Sequence, residues 1–277
     1  MSDFIGNISI VNFKSIRQAY LENCARINLI IGKLNSGKSN ILEALSLFSL
    51  PFLRESRAKK ITQMIRCENL SELFHFGNTE DSIFVVMDAL SCVVKYNPDK
   101  SLAVETNNGA NQHIYQIDKN LRFRSDRSKS EKPVVKRYIF PGKTIFAGRH
   151  LNFQMPPYGL NNINPERSQS ETIKRIDFFK AVIGSNKDSI LLFEEPEAHC
   201  FLPFTTQITQ EMIANTRNQY FMTTYSPFMI NNLLENAGKE LAIFKVHLVN
   251  HETVIHRLAE NELDDLFQKG VDLFTSE

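Results

Sequence analysis

The residues from Gly32 to Ser39 read GKLNSGKS and match the phosphate-binding pattern G-x-x-x-x-G-K-[ST]. A triphosphate is a dense anion, and glycines let the backbone curl so that successive N–H groups point towards it. In this pattern the ammonium of Lys38 reaches the β- and γ-phosphates, and the hydroxyl of Ser39 binds Mg²⁺. We therefore predict a nucleoside triphosphate site whose contacts come from Gly32, Lys33, Asn35, Ser36, Gly37, Lys38, Ser39 and Asn40.

Two adjacent carboxylates form a second candidate for chemistry. They lie in SILLFEEPEAH, where four apolar residues lead into Glu194 and Glu195. An apolar run of this kind predicts a buried strand, and ligands bind at the carboxyl ends of strands in open parallel sheets. There Glu194 would bind Mg²⁺ and Glu195 would act as a general base towards water. The alternative is a helix start, which favours carboxylates and accepts Pro196 in its first turn.

A third apolar run, in QYFMTTYSPF, leads into Tyr225. If this run is another parallel strand, the Tyr225 hydroxyl lies at the same edge of the sheet as the two carboxylates. The alternative is a strand that simply ends at a proline turn.

The elements needed to position these motifs can be predicted from hydrophobic periodicity. Residues 27–31 predict a buried strand before the glycine-rich loop, and a helix follows from Ser39 until Pro51 closes it. The other predicted elements are strands over 5–13, 19–22, 189–193 and 219–224, helices over 172–184, 204–214 and 230–235, and a hairpin over 241–249 and 253–258.

The segment from about Ser71 to Lys143 differs from the rest of the chain in its residue pattern. It is rich in β-forming residues and is punctuated by turn sequences such as YNPDK and NNGAN. We predict an antiparallel lobe, so that residues 1–277 make one head: 1–70 with the phosphate loop, the inserted lobe 71–143, and 144–277 with the acidic pair. The fold class is α/β, a P-loop NTPase with a mixed or parallel sheet flanked by helices.

Composition sets broader bounds. The 277 residues are 42% hydrophobic and 23% charged, which is ordinary for a globular protein. A net charge of +1 gives no prediction of nucleic-acid or membrane binding. Four widely spaced cysteines, no signal sequence and no apolar run of roughly 20 residues favour a cytoplasmic protein that does not enter a membrane.

Taken in order, the three motifs resemble the ABC-type ATPases that include SMC and RecF-like proteins, and in particular AAA-family ATPase domains related to OLD-family nucleases. The resemblance implies ATP and Mg²⁺ as ligands, and a head-to-tail homodimer that traps two ATP molecules. It assigns Mg²⁺ binding to Glu194 and the catalytic carboxylate to Glu195, and it places Lys14 and Ser15 beside the nucleotide base. We find no TOPRIM nuclease motif after the last hairpin, so a nuclease or other effector is expected to be a separate protein.

Two departures from that group bear on turnover. Tyr225 stands where histidine is common, and a phenol with a reference pKa near 10 cannot act as an imidazole does near pH 7. The LSGG-type signature is absent as such. Its positional equivalent is RSQSETIKR, where Ser170 would direct helix N–H groups at a partner's γ-phosphate, or would only cap the helix.

Three functions therefore compete. The first is an ATP-hydrolysing dimerisation switch with slow or partner-stimulated turnover, acting in DNA maintenance or phage defence, with DNA as a possible ligand. The second is an ATP-sensing module that gates a partner protein without hydrolysis. The third is a P-loop kinase, which the lack of an arginine-rich lid and the presence of FEEPEAH disfavour.

Overall fold

The computed structural model describes residues 4–54, 58–107, 109, 111–125, 134–138, 171–200, 202 and 204–269. All statements below concern those residues. Among them, no helix is both long enough and apolar enough to cross a membrane. The predicted contact Ser170 lies outside the described residues.

Thirteen strands are present in the described part of the chain. They are β1 (Ile8–Phe13), β2 (Ile16–Leu21), β3 (Ile27–Gly32), β4 (Ile83–Met87), β5 (Leu90–Tyr96), β6 (Leu102–Asn107), β7 (Gln112–Ile117), β8 (Phe123–Ser125), β9 (Val135–Tyr138), β10 (Ile190–Glu194), β11 (Gln219–Thr223), β12 (Leu241–Val249) and β13 (Glu252–Arg257).

The α-helices are α1 (Lys38–Leu45), α2 (Glu171–Ser185), α3 (Phe204–Ala214), α4 (Pro227–Asn236) and α5 (Glu260–Lys269). Short 3₁₀ segments cover Ser46–Arg54, Ile61–Gln63, Leu70–Leu73, His75–Gly77 and Gly238–Glu240. One boundary differs from the sequence prediction. The helix after the phosphate loop ends at Leu45, and Pro51 lies inside the following 3₁₀ segment instead of closing the helix.

The sheet that carries the motifs has the order β13-β12-β3-β11-β10-β9 among the described residues. Its neighbours from β12 to β9 run parallel, and β13 is antiparallel to β12 at the edge. Every residue of β3 and of β11 is buried, as expected for central parallel strands with both faces covered. The carboxyl ends of β3, β10 and β11 therefore meet at one edge.

The second sheet is antiparallel, with the order β2-β1-β4-β5-β6-β7-β8. The β-rich segment does not form a sheet of its own, because β4 pairs with β1 and so continues the N-terminal hairpin. Strand β9, which falls within the lobe predicted over 71–143, belongs instead to the parallel sheet, where it pairs with β10. The predicted lobe is thus divided between the two sheets.

Two cores lie on opposite faces of the parallel sheet. Because side chains alternate along a strand, Ile30 points to one face of β3 while Leu29 and Ile31 point to the other. The first core fills the space towards α1 and the antiparallel sheet. The second is covered by α2, α3 and α4, through residues such as Phe179 and Met229. This arrangement confirms the predicted mixed-sheet α/β class.

Candidate nucleotide-binding site

The phosphate loop connects β3 to α1, as the sequence predicts. Asn35 and Gly37 have φ of 60° and 94°, and Gly37 is the residue immediately before the helix. A Cβ on Gly32 would overlap the Val246 carbonyl oxygen, and one on Gly37 would overlap the Thr253 hydroxyl. Both glycines are therefore required by the close approach of β12 and β13. No side chain caps α1. The Asn40 N–H donates to the Gly37 carbonyl at 3.0 Å, and the preceding N–H groups of Lys38 and Ser39 lie at the helix N-terminus, where an anion binds.

Lys38 lies folded against this loop. Its Nζ donates to the carbonyl oxygens of Gly32 (2.9 Å) and Lys33 (2.6 Å), and to Ser36 Oγ at 3.4 Å. The same ammonium lies 4.2 Å from the ring centroid of Tyr225, in cation–π geometry. Burial lowers the pKa of Lys38 to about 8, although the charge of Glu195 opposes that shift.

Residues of all three motifs line a single cavity of about 460 Å³. Its lining includes Lys14, Ser15, Leu34, Asn35, Ser36, Gly37, Lys38, Ser39, Asn40, Glu43, Arg66, Glu194, Glu195, Tyr225, Leu248 and His251. Two predicted contacts, Gly32 and Lys33, do not line it. Gly32 is buried beneath Val246, and the Lys33 side chain is exposed while its carbonyl holds Lys38.

Glu194 ends β10 at the edge predicted for it. Its carboxylate is paired with Arg66 and with Arg137, the latter at 2.7 Å. Burial opposes ionisation, but the charges of Arg137 and Arg66 and a hydrogen bond from Ser39 outweigh it and hold the pKa of Glu194 below its ordinary value. Ser39 and Glu194 together offer the hard oxygen ligands that Mg²⁺ takes beside phosphate oxygens, so these residues fit the predicted metal.

Glu195 follows in a left-handed backbone conformation, with φ of 43°. Such strain in a non-glycine residue concentrates at functional sites. Its N–H donates to the Thr223 carbonyl at 3.1 Å, which ties it to β11. Residues 196–199 form a turn, and the next helix begins at Phe204. The alternative that the carboxylates begin a helix is therefore wrong.

Tyr225 lies two residues after the end of β11, which neighbours β10, and it lines the cavity. Burial and then the charges of Glu195 and Glu194 raise the pKa of its hydroxyl, which keeps the phenol protonated. A protonated phenol can donate a hydrogen bond to a phosphate oxygen.

Lys14 and Ser15 also line the cavity. Asn40 Nδ2 donates to Ser15 Oγ at 2.6 Å, and the Ser15 and Thr253 hydroxyls are also 2.6 Å apart. The turn between β1 and β2 is thereby fastened to α1 and to the β12–β13 hairpin.

Several charged residues at the site were missed by the sequence interpretation. Glu43, which is 1% exposed, pairs with Lys14 and accepts from Arg66 Nε at 3.0 Å. Arg66 in turn reaches Glu194. The signal for Glu43 was available, since it lies four residues after Ser39 and therefore on the same helix face. Arg66 carried no such local signal.

Arg175, the last residue of RSQSETIKR, is a further site residue that the sequence interpretation did not predict. It is buried on α2, and it donates to the carbonyl oxygens of Pro196 (2.8 Å) and Glu195 (2.6 Å). Arg175 lies three and four residues before the buried Phe178 and Phe179 and therefore on the same helix face. A charged side chain on a buried face predicts a specific partner.

Comparison with solved structures assigns the fold. An SMC head bound to the C-winged helix domain of ScpA matches with a TM-score of 0.53 and 14% identity, over 95% of this chain and 99% of that one. The fold is that of an SMC head. A second SMC head, with an extended coiled coil and bound to the C-terminal domain of ScpA derived from Pyrococcus furiosus, matches with a TM-score of 0.53 and 12% identity over 96% and 99%. This is the P-loop NTPase fold of ABC type.

Beyond the SMC-head fold, similarity to curated sequences is local. The chain is 36% identical to DNA replication and repair protein RecF of Clostridioides difficile over 66 residues, 23% of this chain and 17% of that protein. It is 29% identical to RecF of Caldanaerobacter subterraneus subsp. tengcongensis over 104 residues, 38% and 28% of the two chains. An uncharacterized protein of Methanocaldococcus jannaschii is 57% identical over 44 residues, 16% and 20%. The matches thus span less than a third of each relative, and no family model matches.

Proposed function

We propose that the chain binds ATP in this cavity and hydrolyses it slowly, as a nucleotide-dependent dimerisation switch. The observation that carries the proposal is the convergence of Lys38, Ser39, Glu194, Glu195 and Tyr225 on one cavity. Each of these residue types has a separate task in phosphoryl transfer to water, and the fold brings them together from three different strands.

The chemistry follows from where these groups lie. The N–H groups of the loop and of α1 receive the phosphates, and Lys38 leaves the loop carbonyls to pair with the terminal phosphate oxygens. Ser39 and Glu194 would hold Mg²⁺, which would supply neutralising charge to the β- and γ-phosphates. Glu195 accepts a proton from water as the water oxygen adds to the γ-phosphorus and the bond to the β–γ bridging oxygen breaks. Tyr225 donates to a γ-phosphate oxygen.

A second copy of the chain is the proposed partner. Leu34 at the loop is 76% exposed, and Phe228, three residues beyond Tyr225, is 56% exposed. Contiguous exposed apolar surface marks sites that a partner covers, and we propose that these two side chains belong to such a surface. We propose a head-to-tail homodimer with ATP between the copies.

The cellular setting is proposed from the relatives. RecF is by name a DNA replication and repair protein, and the SMC heads are bound to ScpA. We propose DNA maintenance, or phage defence, with a separate effector protein.

A second candidate function is an ATP-sensing module that dimerises without hydrolysis. Tyr225 favours it, because its ring stacks on Lys38 and its hydroxyl stays protonated, so it cannot relay protons as an imidazole does. The placement of Glu195 in the cavity favours hydrolysis.

Single-turnover hydrolysis distinguishes the two. We expect wild type to hydrolyse bound ATP, and Glu195→Gln to retain ATP binding, lose hydrolysis by about 100-fold or more, and accumulate as a dimer in light scattering. Glu235→Gln, an exposed carboxylate on α4, is the matched control. Equal hydrolysis by wild type and Glu195→Gln would remove Glu195 as the base, and no hydrolysis by wild type would favour the sensing module.

A Lys38→Ala variant tests the binding site itself. We expect it to bind ATP much more weakly than wild type, whereas Lys33→Ala, whose side chain does not line the cavity, binds normally. Normal ATP binding by Lys38→Ala would overturn the proposed site.

A further inference from the structure

Glu197 is a buried carboxylic acid beside the site. It lies within SILLFEEPEAH, but it has no role in the sequence interpretation or in the chemistry above. It is 8% exposed. Its Oε1 accepts from Thr224 Oγ1 at 2.6 Å and from the Tyr225 N–H at 3.0 Å. Its Oε2 has no hydrogen-bond partner within the described part of the chain. Burial raises the pKa of this carboxyl, although the two donors oppose the shift.

On one side, Glu197 is part of the turn that carries Glu195. The Ala198 N–H donates to the Glu195 carbonyl at 3.0 Å, and the Cys200 N–H donates to the Glu197 carbonyl at 2.8 Å. The Arg175 guanidinium also donates to the Glu195 and Pro196 carbonyl oxygens of this turn. The Glu197 side chain is thus fixed relative to the carboxylate proposed as the base.

On the other side, the contact continues into α4. Thr224 Oγ1, which donates to Glu197, also accepts from the Ser226 N–H at 3.0 Å. Ser226 Oγ then accepts from the Met229 N–H at 3.3 Å and caps the helix. This series of hydrogen bonds, from Glu197 through Thr224 to Ser226, therefore fixes the start of α4 and the position of the Tyr225 backbone.

We propose that Glu197 is a positioning residue that aligns Tyr225 with Glu195 at the terminal phosphate, by joining the Glu195 turn to the backbone of Tyr225. This inference rests on the proposed ATPase function. Glu197 touches neither the nucleotide nor the water; it acts through Tyr225.

A purely structural role for Glu197 makes a different prediction. A buried carboxyl with an unpaired oxygen is costly, so it is a poor choice for stability alone. If Glu197 served only the fold, its loss would lower stability and affect ATP binding and hydrolysis together. If it positions Tyr225, its loss lowers the chemical step while ATP binding persists.

The test compares Glu197→Ala with Glu197→Gln in the full chain, by single-turnover hydrolysis and by the Kd for ATP. We expect Glu197→Ala to lower the rate about 10- to 100-fold, the effect of a small misplacement of reacting groups, and to change Kd less than about threefold. The Gln oxygen can accept the same two bonds, so Glu197→Gln restores the rate to within about threefold of wild type. Glu211→Ala is the control, since Glu211 is a half-exposed carboxylate on α3 that pairs only with Lys180 on α2, at 3.7 Å, among the ion pairs of the described residues.

Thr224→Val removes the hydroxyl that donates to Glu197 Oε1, and so breaks the same hydrogen bond from its donor side. We expect the double variant Glu197→Ala/Thr224→Val to be no slower than the slower single variant, because each single variant already removes the Glu197–Thr224 hydrogen bond. Additive losses would overturn the proposal, as would a Gln variant as slow as the Ala variant or parallel losses in rate and affinity. If Glu197→Ala does not fold, Thr224→Val alone decides: an unchanged rate overturns the inference.

The two proposals fail differently. If Glu195→Gln hydrolyses ATP like wild type, the proposed chemistry is wrong. If Glu195→Gln is inactive and Glu197→Ala is as fast as wild type, only the role of Glu197 is wrong.

Discussion

At the scale of single residues, the charged groups of the site already have partners within the protein, and a bound nucleotide would have to replace them. Lys38 is bound to loop carbonyls and covered by the Tyr225 ring, and Glu194 is paired with two arginines. In the proposed function, Mg-ATP would supply both an anion for Lys38 and a cation for Glu194. Binding would then exchange internal contacts for contacts with the ligand, and the free-energy difference between the two sets would determine the affinity.

The lowered pKa of Lys38 predicts how that affinity depends on pH. Because the pKa of Lys38 is about 8, its ammonium is lost as pH rises through that value. ATP needs the charged form, so its binding must then take up a proton. We expect the Kd for Mg-ATP to rise about tenfold for each pH unit above the pKa, when measured with a non-hydrolysable analogue between about pH 7 and 9.5.

Lys38→Arg is the matched variant, because a guanidinium stays charged throughout this range. The Kd of this variant for Mg-ATP is expected to be higher than that of wild type but independent of pH. A flat profile for wild type would contradict the assigned pKa.

At the scale of elements, the phosphate loop is shaped by contacts with the β12–β13 hairpin. Gly37 combines a φ of 94° with a close approach to Thr253, so it has both conformational and steric reasons to be glycine. Gly184 has neither, since it lies within α2 with open space around the position of a Cβ. The same substitution at the two sites should have opposite effects.

We expect Gly37→Ala to destabilise the fold by about 1–3 kcal/mol and to abolish ATP binding, because the loop must move away from Thr253. Gly184→Ala should stabilise it by about 0.5–1 kcal/mol. Denaturant unfolding of both variants measures the two changes. A Gly37→Ala protein as stable as wild type would show that the hairpin does not constrain the loop.

How far the sequence predicts these elements depends on the range of the contacts involved. The glycine-rich loop, Glu194, Glu195 and Tyr225 were located correctly because local patterns mark strand ends, and the α/β class was confirmed. Pro51 was misjudged because a proline is tolerated in a 3₁₀ segment. Arg66 and Arg137 were missed because they meet Glu194 only through folding, from distant segments of the chain. The roles assigned to the site residues remain predictions.

At the scale of the whole molecule, a network of charges joins the two sheets. It runs from Lys14, beside the antiparallel sheet, through Glu43 and Arg66 to Glu194, and ends at Arg137 on β9. Glu43 is its buried centre. Four members of this network, Lys14, Glu43, Arg66 and Glu194, also line the proposed ATP cavity.

We expect Glu43→Ala to lower the free energy of unfolding by about 2–3 kcal/mol, below the usual loss for a fully buried pair because Arg66 is largely exposed. The Asp188–Arg217 pair, with both side chains 57% exposed, is the control. Asp188→Asn should cost less than about 1 kcal/mol. Equal losses from the two variants in denaturant titrations would mean that the network adds nothing beyond surface pairing.

The pairing of β3 has a consequence for how the protein is made. Ile27 of β3 pairs with Tyr220 on one side and with Leu241 on the other, and Thr253 shapes the phosphate loop. On the ribosome the GKLNSGKS segment is therefore made before Tyr220, Leu241 and Thr253, and β3 lacks both of its sheet neighbours until those residues have been added. The proposed ATP site cannot form in a chain that stops short of Thr253, so a nucleotide cannot assist folding before that point.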